Sequence, residues 1–286
     1  MKFNIVVIDP PSGGYAHFLF DGIRTIQFGL ESLGHDCIIS KNNLDPSRMN
    51  LICAAHQIND AETVRQIIDY NVPYIVLQSE LLHDGIDYTF GSHHWKQCYL
   101  PLMRGATRVW DWSQRQCDDL ATLDVAADHI IIGYHPHLEE IHHKKTKSID
   151  VLWYGSITPH RAEILRRITE RQVSVVRLFD DVAFYRNDYM ARAKIILTLQ
   201  QRPDSHLPYW RVVHATTNRC LVAGEAASQP HWAEALYRGA TAQDVPDLIF
   251  DLLHSHDRDA IVEQHVENAK KHPMTELLAP LVDRLP

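Results

Sequence analysis

"LWYGSITPHRAEIL", residues 152–165, is the stretch on which the reading of this chain turns. Apolar and aromatic residues lead to Gly155, and from Pro159 the apolar spacing becomes helical. A strand, a glycine turn and a helix make half of a βαβ unit. Thr158 is placed to cap that helix and Pro159 suits its first position. His160 and Arg161 then fall in the first turn. The helix start carries a partial positive charge, and an exposed cation there is unfavourable by roughly 0.3–1 kcal/mol. An anion seated on the helix end removes the conflict. Gly155 admits a phosphate to the backbone, Ser156 and Thr158 offer hydroxyls, and Arg161 offers a charged fork. The same turn is common without a ligand, and Arg161 then points into solvent or pairs with an Asp or Glu elsewhere.

The alternation continues outward in both directions. Upstream, apolar runs at 3–8, 37–39, 51–54, 74–77, 109–110 and 130–132 read as strands, and 18–33, 61–70 and 113–123 as helices. Downstream of the strand at 151–154 and the helix at 159–171, strands are expected at 173–178, 195–199 and 220–223, the last closing on Gly224 and Glu225. Helices are expected at 185–193 and 211–218, then at 245–253, 257–271 and 274–285. Strands alternating with helices imply parallel sheets. Between the halves lies "HHKKTK", residues 142–147, polar and without apolar anchors, which reads as a linker. The expectation is an α/β protein of two Rossmann-like domains facing a cleft, residues 1–141 and 149–286, joined by a linker at 142–148 and closed by C-terminal helices. In such sheets ligands bind at the carboxyl ends of the strands.

Composition agrees with a folded globular chain: of 286 residues, 45% are hydrophobic and 22% charged. A net charge of −8 argues against duplex nucleic acid as the main partner, because such binders carry a basic stripe. Five cysteines, an odd number with no CxxC, read as reduced thiols of a cytoplasmic protein. No apolar run reaches the length of a membrane span, and the first residues read as a strand and not a signal peptide. Nineteen histidines invite a metal site. The dense places, His93 with His94, His135 with His137 and His142 with His143, lack Cys or acids at ligand spacing, so no metal is expected. Trp110 and Trp112 flank Asp111, and strand alternation would put both on one face, in core packing.

Further segments run in a fixed order: "GGYAHFLF", "LESLGHDCIISKNNL", "NLICAAHQI", "YIVLQSELL", "RVWDWSQRQCDDL", "IIIGYHPHLEEI", "IDVLWYGSITPHRAEIL", "ARAKIILTL" and "RVVHATTNRCLVAGE", over residues 13–225. This ordered set resembles a bacterial group of GT-B glycosyltransferases, CgeB-like or glycosyltransferase family 1-like. The resemblance implies transfer of a hexosyl or pentosyl group from a nucleotide-diphosphate sugar, a co-substrate rather than a cofactor. The donor would bind the C-terminal half and the acceptor the N-terminal half. It implies metal-independent chemistry, with the leaving diphosphate stabilised by a helix end and arginine. Arg211 matches a family arginine directed at the same phosphates. Glu225 matches a glutamate that accepts hydrogen bonds from the donor ribose, and Gln200 and Gln201 fall where the nucleobase edge would lie.

On the N-terminal side, His17 lies near the general base of inverting GT-B enzymes, and His titrates in the useful range. The alternative is a His17 that caps or lines the site. Asp21, four residues on, shares its helix face. Glu80 matches a family glutamate and either contacts the acceptor or fixes a loop. One departure stands out: the family's Phe-Glu before the arginine is replaced here by Leu207-Pro208-Tyr209-Trp210, so Pro208 stands where the acid would be. Two rivals follow: a catalytically inactive GT-B module that binds nucleotide or sugar, and a transferase acting on a modified nucleobase, against which the net charge speaks.

Overall fold

In the computed structural model of the protein, which describes residues 1–10, 19–80, 82–83, 86–87, 91–179, 185–203, 207–228 and 231–286, the chain divides into two compact units. Met1–Ile132 with Met274–Pro286 form the first, and Gly133–Pro273 the second.

The first unit begins with β1 (Lys2–Val7), α1 (Phe20–Ser32), β2 (Asp36–Lys41), β3 (Met49–Cys53), α2 (Ala61–Asp69) and β4 (Tyr74–Gln78). A short antiparallel pair follows, β5 (Leu82–His83) and β6 (Ile86–Asp87), then α3 (Gly91–His94), a π-helical turn at Trp95–Tyr99, and α4 (Leu100–Gly105). β7 (Arg108–Asp111), α5 (Gln114–Ala121) and β8 (Ala127–His129) complete the N-terminal portion. The sheet order is β2-β1-β3-β4-β7-β8, and every pair is parallel. The central strands are continuous apolar runs because both faces are covered: Ile5, Leu51, Ile52, Ile75, Val76 and Leu77 are buried. The last strand is displaced from the expected 130–132. Pairing with β7 stops at His129, and Ile130 N–H adds one bond to the Asp111 carbonyl at 2.8 Å. Ile130 and Ile132 are nevertheless buried, so apolarity marked the core and not the strand. Trp110 is buried in β7 as expected, but β7 ends at Asp111, so Trp112 is not on the strand.

The second unit contains β9 (Ile149–Tyr154), α6 (Pro159–Glu170), β10 (Val175–Leu178), α7 (Arg186–Arg192), β11 (Ala193–Thr198), α8 (Tyr209–Thr217), β12 (Val222–Glu225), β13 (Arg238–Ala240), α9 (Val245–His254) and α10 (Arg258–Lys270). Its sheet runs β10-β9-β11-β12-β13, again parallel. Val151, Trp153, Ile164, Leu165, Ile195 and Leu197 share its core.

The division of the chain differs from the expected 1–141, 142–148 and 149–286. The polar run read as a linker is hydrogen-bonded into the second unit. Glu140 N–H and Ile141 N–H donate to Asn218 Oδ1 at 2.8 and 3.0 Å. His143 Nε2 donates to the Asn218 carbonyl at 2.7 Å, and Lys147 Nζ to the Ala191 carbonyl at 2.9 Å. The last helix, α11 (Met274–Val282), returns to the first unit and packs on α1. Gly29 of α1 makes room for it: a Cβ there would stand 2.9 Å from Met274 Cγ. Arg284 then binds Asp128 Oδ1 at 2.8 Å, fixing the C-terminal segment beside β8. Among the described residues no helix is long and apolar enough to cross a membrane.

Candidate functional site

The turn quoted above forms at the carboxyl end of β9. Gly155 has φ +139°, a conformation that favours glycine, and its N–H donates to the Leu178 carbonyl at 3.1 Å. Thr158 is the N-cap of α6, and its Oγ1 accepts from Arg161 N–H at 3.3 Å. The same hydroxyl donates to the Gln201 carbonyl at 2.7 Å, tying the start of α6 to the segment after β11. Pro159 occupies the first turn as expected.

Both basic residues of that turn are bound by the protein's own acceptors. Arg161 is 6% exposed and folds inward. Its Nε donates to the Gln200 carbonyl at 2.9 Å, and Nη2 to the Leu199 carbonyl at 3.0 Å. Nη1 donates to Ser156, to the carbonyl at 3.0 Å and to Oγ at 3.3 Å. Four of the five guanidinium N–H directions are therefore used, and one on Nη2 remains among the described residues. Burial pushes the Arg161 pKa down to about 10; nearby Arg211 acts in the same direction and Glu225 opposes. Arg161 thus neither points into solvent nor pairs directly with an acid. His160 takes the acid instead: its Nε2 lies 2.7 Å from Glu225 Oε1.

Arg211 lies in the first turn of α8, its N–H bonded to the Pro208 carbonyl at 3.0 Å. Its guanidinium sits 4.5 Å over the Tyr154 ring. A Cβ on Gly155 would be 3.2 Å from Arg211 Nη2 and 3.9 Å from Arg161 Nη1. Two guanidinium groups therefore converge on the side of the glycine turn where a side chain would project. Glu225 closes β12 and is buried; its Oε2 accepts from Gln200 N–H at 2.6 Å. The Gln200 amide donates to the Ala226 carbonyl at 2.7 Å, and its Oε1 is buried with no partner among the described residues. Gly155, Ser156, Thr158, Arg161, Gln200, Arg211 and Glu225, expected from the sequence to hold a donor, are thus gathered in the second unit around the carboxyl ends of β9, β11 and β12.

The first unit carries a separate polar cluster at the carboxyl ends of β3, β4 and β7. Glu80 follows β4, and its Oε1 lies 3.2 Å from His56 Nε2. The other His56 nitrogen is 3.5 Å from Ser79 Oγ. Behind them Asp111 is fully buried and accepts from Gln78, Gln116 and Ser113 N–H. Burial pushes its carboxyl up to about 7 against the pull of these donors. His17 lies outside the described residues. Asp21 stands in the first turn of α1, where its carbonyl accepts from Thr25 Oγ1 at 2.7 Å. Sequence reading did not single out His56 or Ser79, and it placed His160 in the first turn of its helix without assigning it a role. For His56 the signal is a histidine just past the end of a fully buried strand, where ligand-facing residues of such sheets lie. Among the described residues no three His, Cys, Asp or Glu side chains are grouped as a metal would need.

No protein-family model matches the sequence, and no curated protein matches it. Solved structures do match its fold. T4 phage BGT in complex with UDP-glucose superposes with TM-score 0.59 at 11% identity, covering 100% of this chain and 99% of that one. TarM superposes with TM-score 0.53 at 11% identity over 90% of this chain, which spans only 57% of TarM. UDP-GlcNAc 2-epimerase from Neisseria meningitidis, bound to UDP-GlcNAc, gives TM-score 0.50 at 9% identity, covering 99% and 100%. The fold is GT-B, as the ordered motifs implied. That fold holds transferases and an epimerase alike, so chemistry must be argued from the residues.

Proposed function

We propose that the protein is a glycosyltransferase that takes a sugar from a nucleotide-diphosphate donor held by its second unit, acting without a metal. The observation that carries this reading is the convergence of Arg161 and Arg211 on Gly155, in the turn that leads into α6. Burial lowers the Arg161 pKa first, and the positive charge of half-buried Arg211 beside it lowers it further; an anion between the two guanidinium groups offsets that repulsion. The diphosphate that departs on glycosyl transfer is such an anion, and fixed donors stabilise its developing charge. Arg211, the remaining N–H of Arg161 and the Ser156 hydroxyl are the groups assigned to it. Glu225 accepts one hydrogen bond at each oxygen and has lone pairs left for ribose hydroxyls. The buried Gln200 Oε1 is assigned an N–H of the base.

The acceptor's proton is assigned to the first unit, where the sequence offers His17, Asp21 and Glu80. Of these, Glu80 stands in a built polar cluster. The five cysteines are all free and buried, which suits a reducing cytoplasm. Calorimetry with UDP and with uridine, paired with an assay of UDP release from UDP-glucose and UDP-N-acetylglucosamine, tests the reading. Tight UDP binding with release supports it. Binding without release from any donor identifies an inactive module, the outcome that Pro208 motivates. Because one T4 phage BGT structure contains UDP and Mn2+, the release assay is run with EDTA and with Mn2+; a requirement for Mn2+ overturns metal independence.

A second reading, transfer to a modified nucleobase, is favoured by the match to the DNA modifying enzyme beta-glucosyltransferase, covering 99% of each chain. Transfer of labelled glucose to DNA whose bases carry an added hydroxyl group, absent with small hydroxyl acceptors, selects it.

A further inference from the structure

We infer that Glu80 is the base for the acceptor hydroxyl and that His56 is the positioning residue that keeps it oriented and ionised; this rests on the transferase reading above. β3 and β4 are parallel neighbours, with Cys53 paired to Leu77. Beyond β3 the chain does not run on. Ala54 adopts a left-handed conformation (φ +57°) and leads into a single 3-10 turn, Ala55–Gln57. A non-glycine residue held in that conformation is strained, and such strain persists where surrounding structure enforces it. Its effect is to set His56 beside the residues that leave β4.

His56 is 5% exposed, and its two ring nitrogens are directed at Glu80 and Ser79. The imidazole is therefore already engaged by the protein on both sides. The Glu80 side chain is 22% exposed, so its carboxylate is the member of the cluster that a substrate can reach. The main chain of Glu80 is clamped as firmly as its side chain. Its N–H donates to Gln78 Oε1 at 2.6 Å, and its carbonyl accepts from Gln78 Nε2 at 2.8 Å and Gln116 Nε2 at 3.2 Å. Both glutamines are oriented by Asp111, at 2.9 Å for Gln78 and 3.0 Å for Gln116, and Tyr99 OH donates to Gln78 Oε1 at 3.1 Å. Asp111, Gln78 and Gln116 are all buried. Burying so many polar groups costs free energy unless every one is satisfied. Here the network converges on one accessible carboxylate, at the strand ends where ligands of parallel sheets bind.

In the reaction, an acceptor hydroxyl gives its proton to the Glu80 carboxylate. Its oxygen forms the bond to the anomeric carbon, and the bond from that carbon to the donor phosphate breaks, its electron pair leaving with the diphosphate. A hydrogen bond from His56 Nε2–H favours the ionised form of Glu80 and fixes its rotamer. Among the described residues, the titratable groups set about it include His56 from the turn after β3 and Asp111 from β7, and Ser79 is a further polar neighbour of His56.

The test uses the whole protein and UDP release from UDP-glucose or UDP-N-acetylglucosamine. Glu80→Gln should lower kcat by about 10²–10⁴-fold, the range for loss of a general base. His56→Ala should lower kcat by roughly 10–100-fold, leave KM and UDP affinity within about twofold, and move the acid limb of the kcat/KM profile to higher pH. His56→Gln, whose amide can donate to the same oxygen, should restore most of the rate. Native turnover and an unmoved acid limb in His56→Ala overturn the inference alone, as does equal damage in His56→Ala and His56→Gln together with lost UDP affinity. Glu80→Gln, which changes a partly exposed side chain, decides the base assignment even where His56→Ala fails to fold; full activity in it overturns the inference. A native protein that binds UDP but releases none from either donor overturns the transferase reading, and this inference with it.

Discussion

Replacing Arg161 by alanine removes the donors from three backbone carbonyls at once, those of Ser156, Leu199 and Gln200. A buried acceptor left without a partner costs about 1–3 kcal/mol. The Leu199 and Gln200 carbonyls are buried and that of Ser156 only partly so, so two full losses sum to at least ~2 kcal/mol on the same scale, before repacking under Trp153, whose ring lies 5.8 Å from the Arg161 guanidinium carbon. The mutant recovers the cost of burying a cation, and water can enter, so the expected net loss is about 2–4 kcal/mol, the lower part of the range for two to three unsatisfied acceptors. An arginine held in place only for a phosphate would show almost none of this in the absence of ligand. Because the chain has two units, a single melting temperature is a poor readout. Hydrogen exchange in β9, β11 and the residues after it, measured without nucleotide, reads the second unit directly. Loss of protection by at least ~2 kcal/mol there, with β3 and β4 unchanged, is the expected result. A loss below about 1 kcal/mol refutes the reasoning, because the carbonyls would then be satisfied without the side chain. Arg161→Lys should fall between, since one ammonium cannot reach all three carbonyls.

Three further outcomes are expected. Arg211→Ala should weaken UDP by roughly 1.5–3 kcal/mol, the worth of a charge-assisted contact, and uridine hardly at all; calorimetry with both ligands checks it. Glu225→Gln should weaken UDP but leave 2′,3′-dideoxy-UDP nearly unchanged, and an equal loss with both ligands makes the glutamate structural. For Asp111 the folded pKa is raised above the usual carboxylate value, so its contribution to stability is fully present below the unfolded pKa and fades as pH rises through about 7. The stability difference between native protein and Asp111→Asn should therefore shrink between pH 4 and pH 8 in denaturant titrations, on top of a constant cost for placing an amide against N–H donors.

The parts of the fold legible in the sequence were those written locally. β1, β3, β4, β9 and β11 are buried on both faces, so their apolar runs carry the signal by themselves. β13 reads "RGA", an edge strand with two exposed residues and no apolar pattern, and nothing local marks it. The polar run at 142–147 looked like a linker because composition does not show that its backbone and side chains bond to Asn218 and Ala191, residues distant in sequence. In the candidate donor site the residue types were readable, and their gathering followed from the rule of strand ends. The direction of Arg161 was not, because a first-turn side chain can face the helix end or the sheet, and only the positions of the Leu199 and Gln200 carbonyls decide which. His56 depends on the left-handed Ala54, a backbone choice that an alanine does not announce.

The central claim is that the second unit holds a nucleoside diphosphate at the turn after β9, and hydrogen exchange of the whole protein with and without UDP tests it most directly. UDP should slow exchange at 155–161, 198–201, 211–213 and 222–226, with uridine giving much weaker protection at the first of these segments. No change at saturating UDP, or protection confined to the first unit, would contradict it.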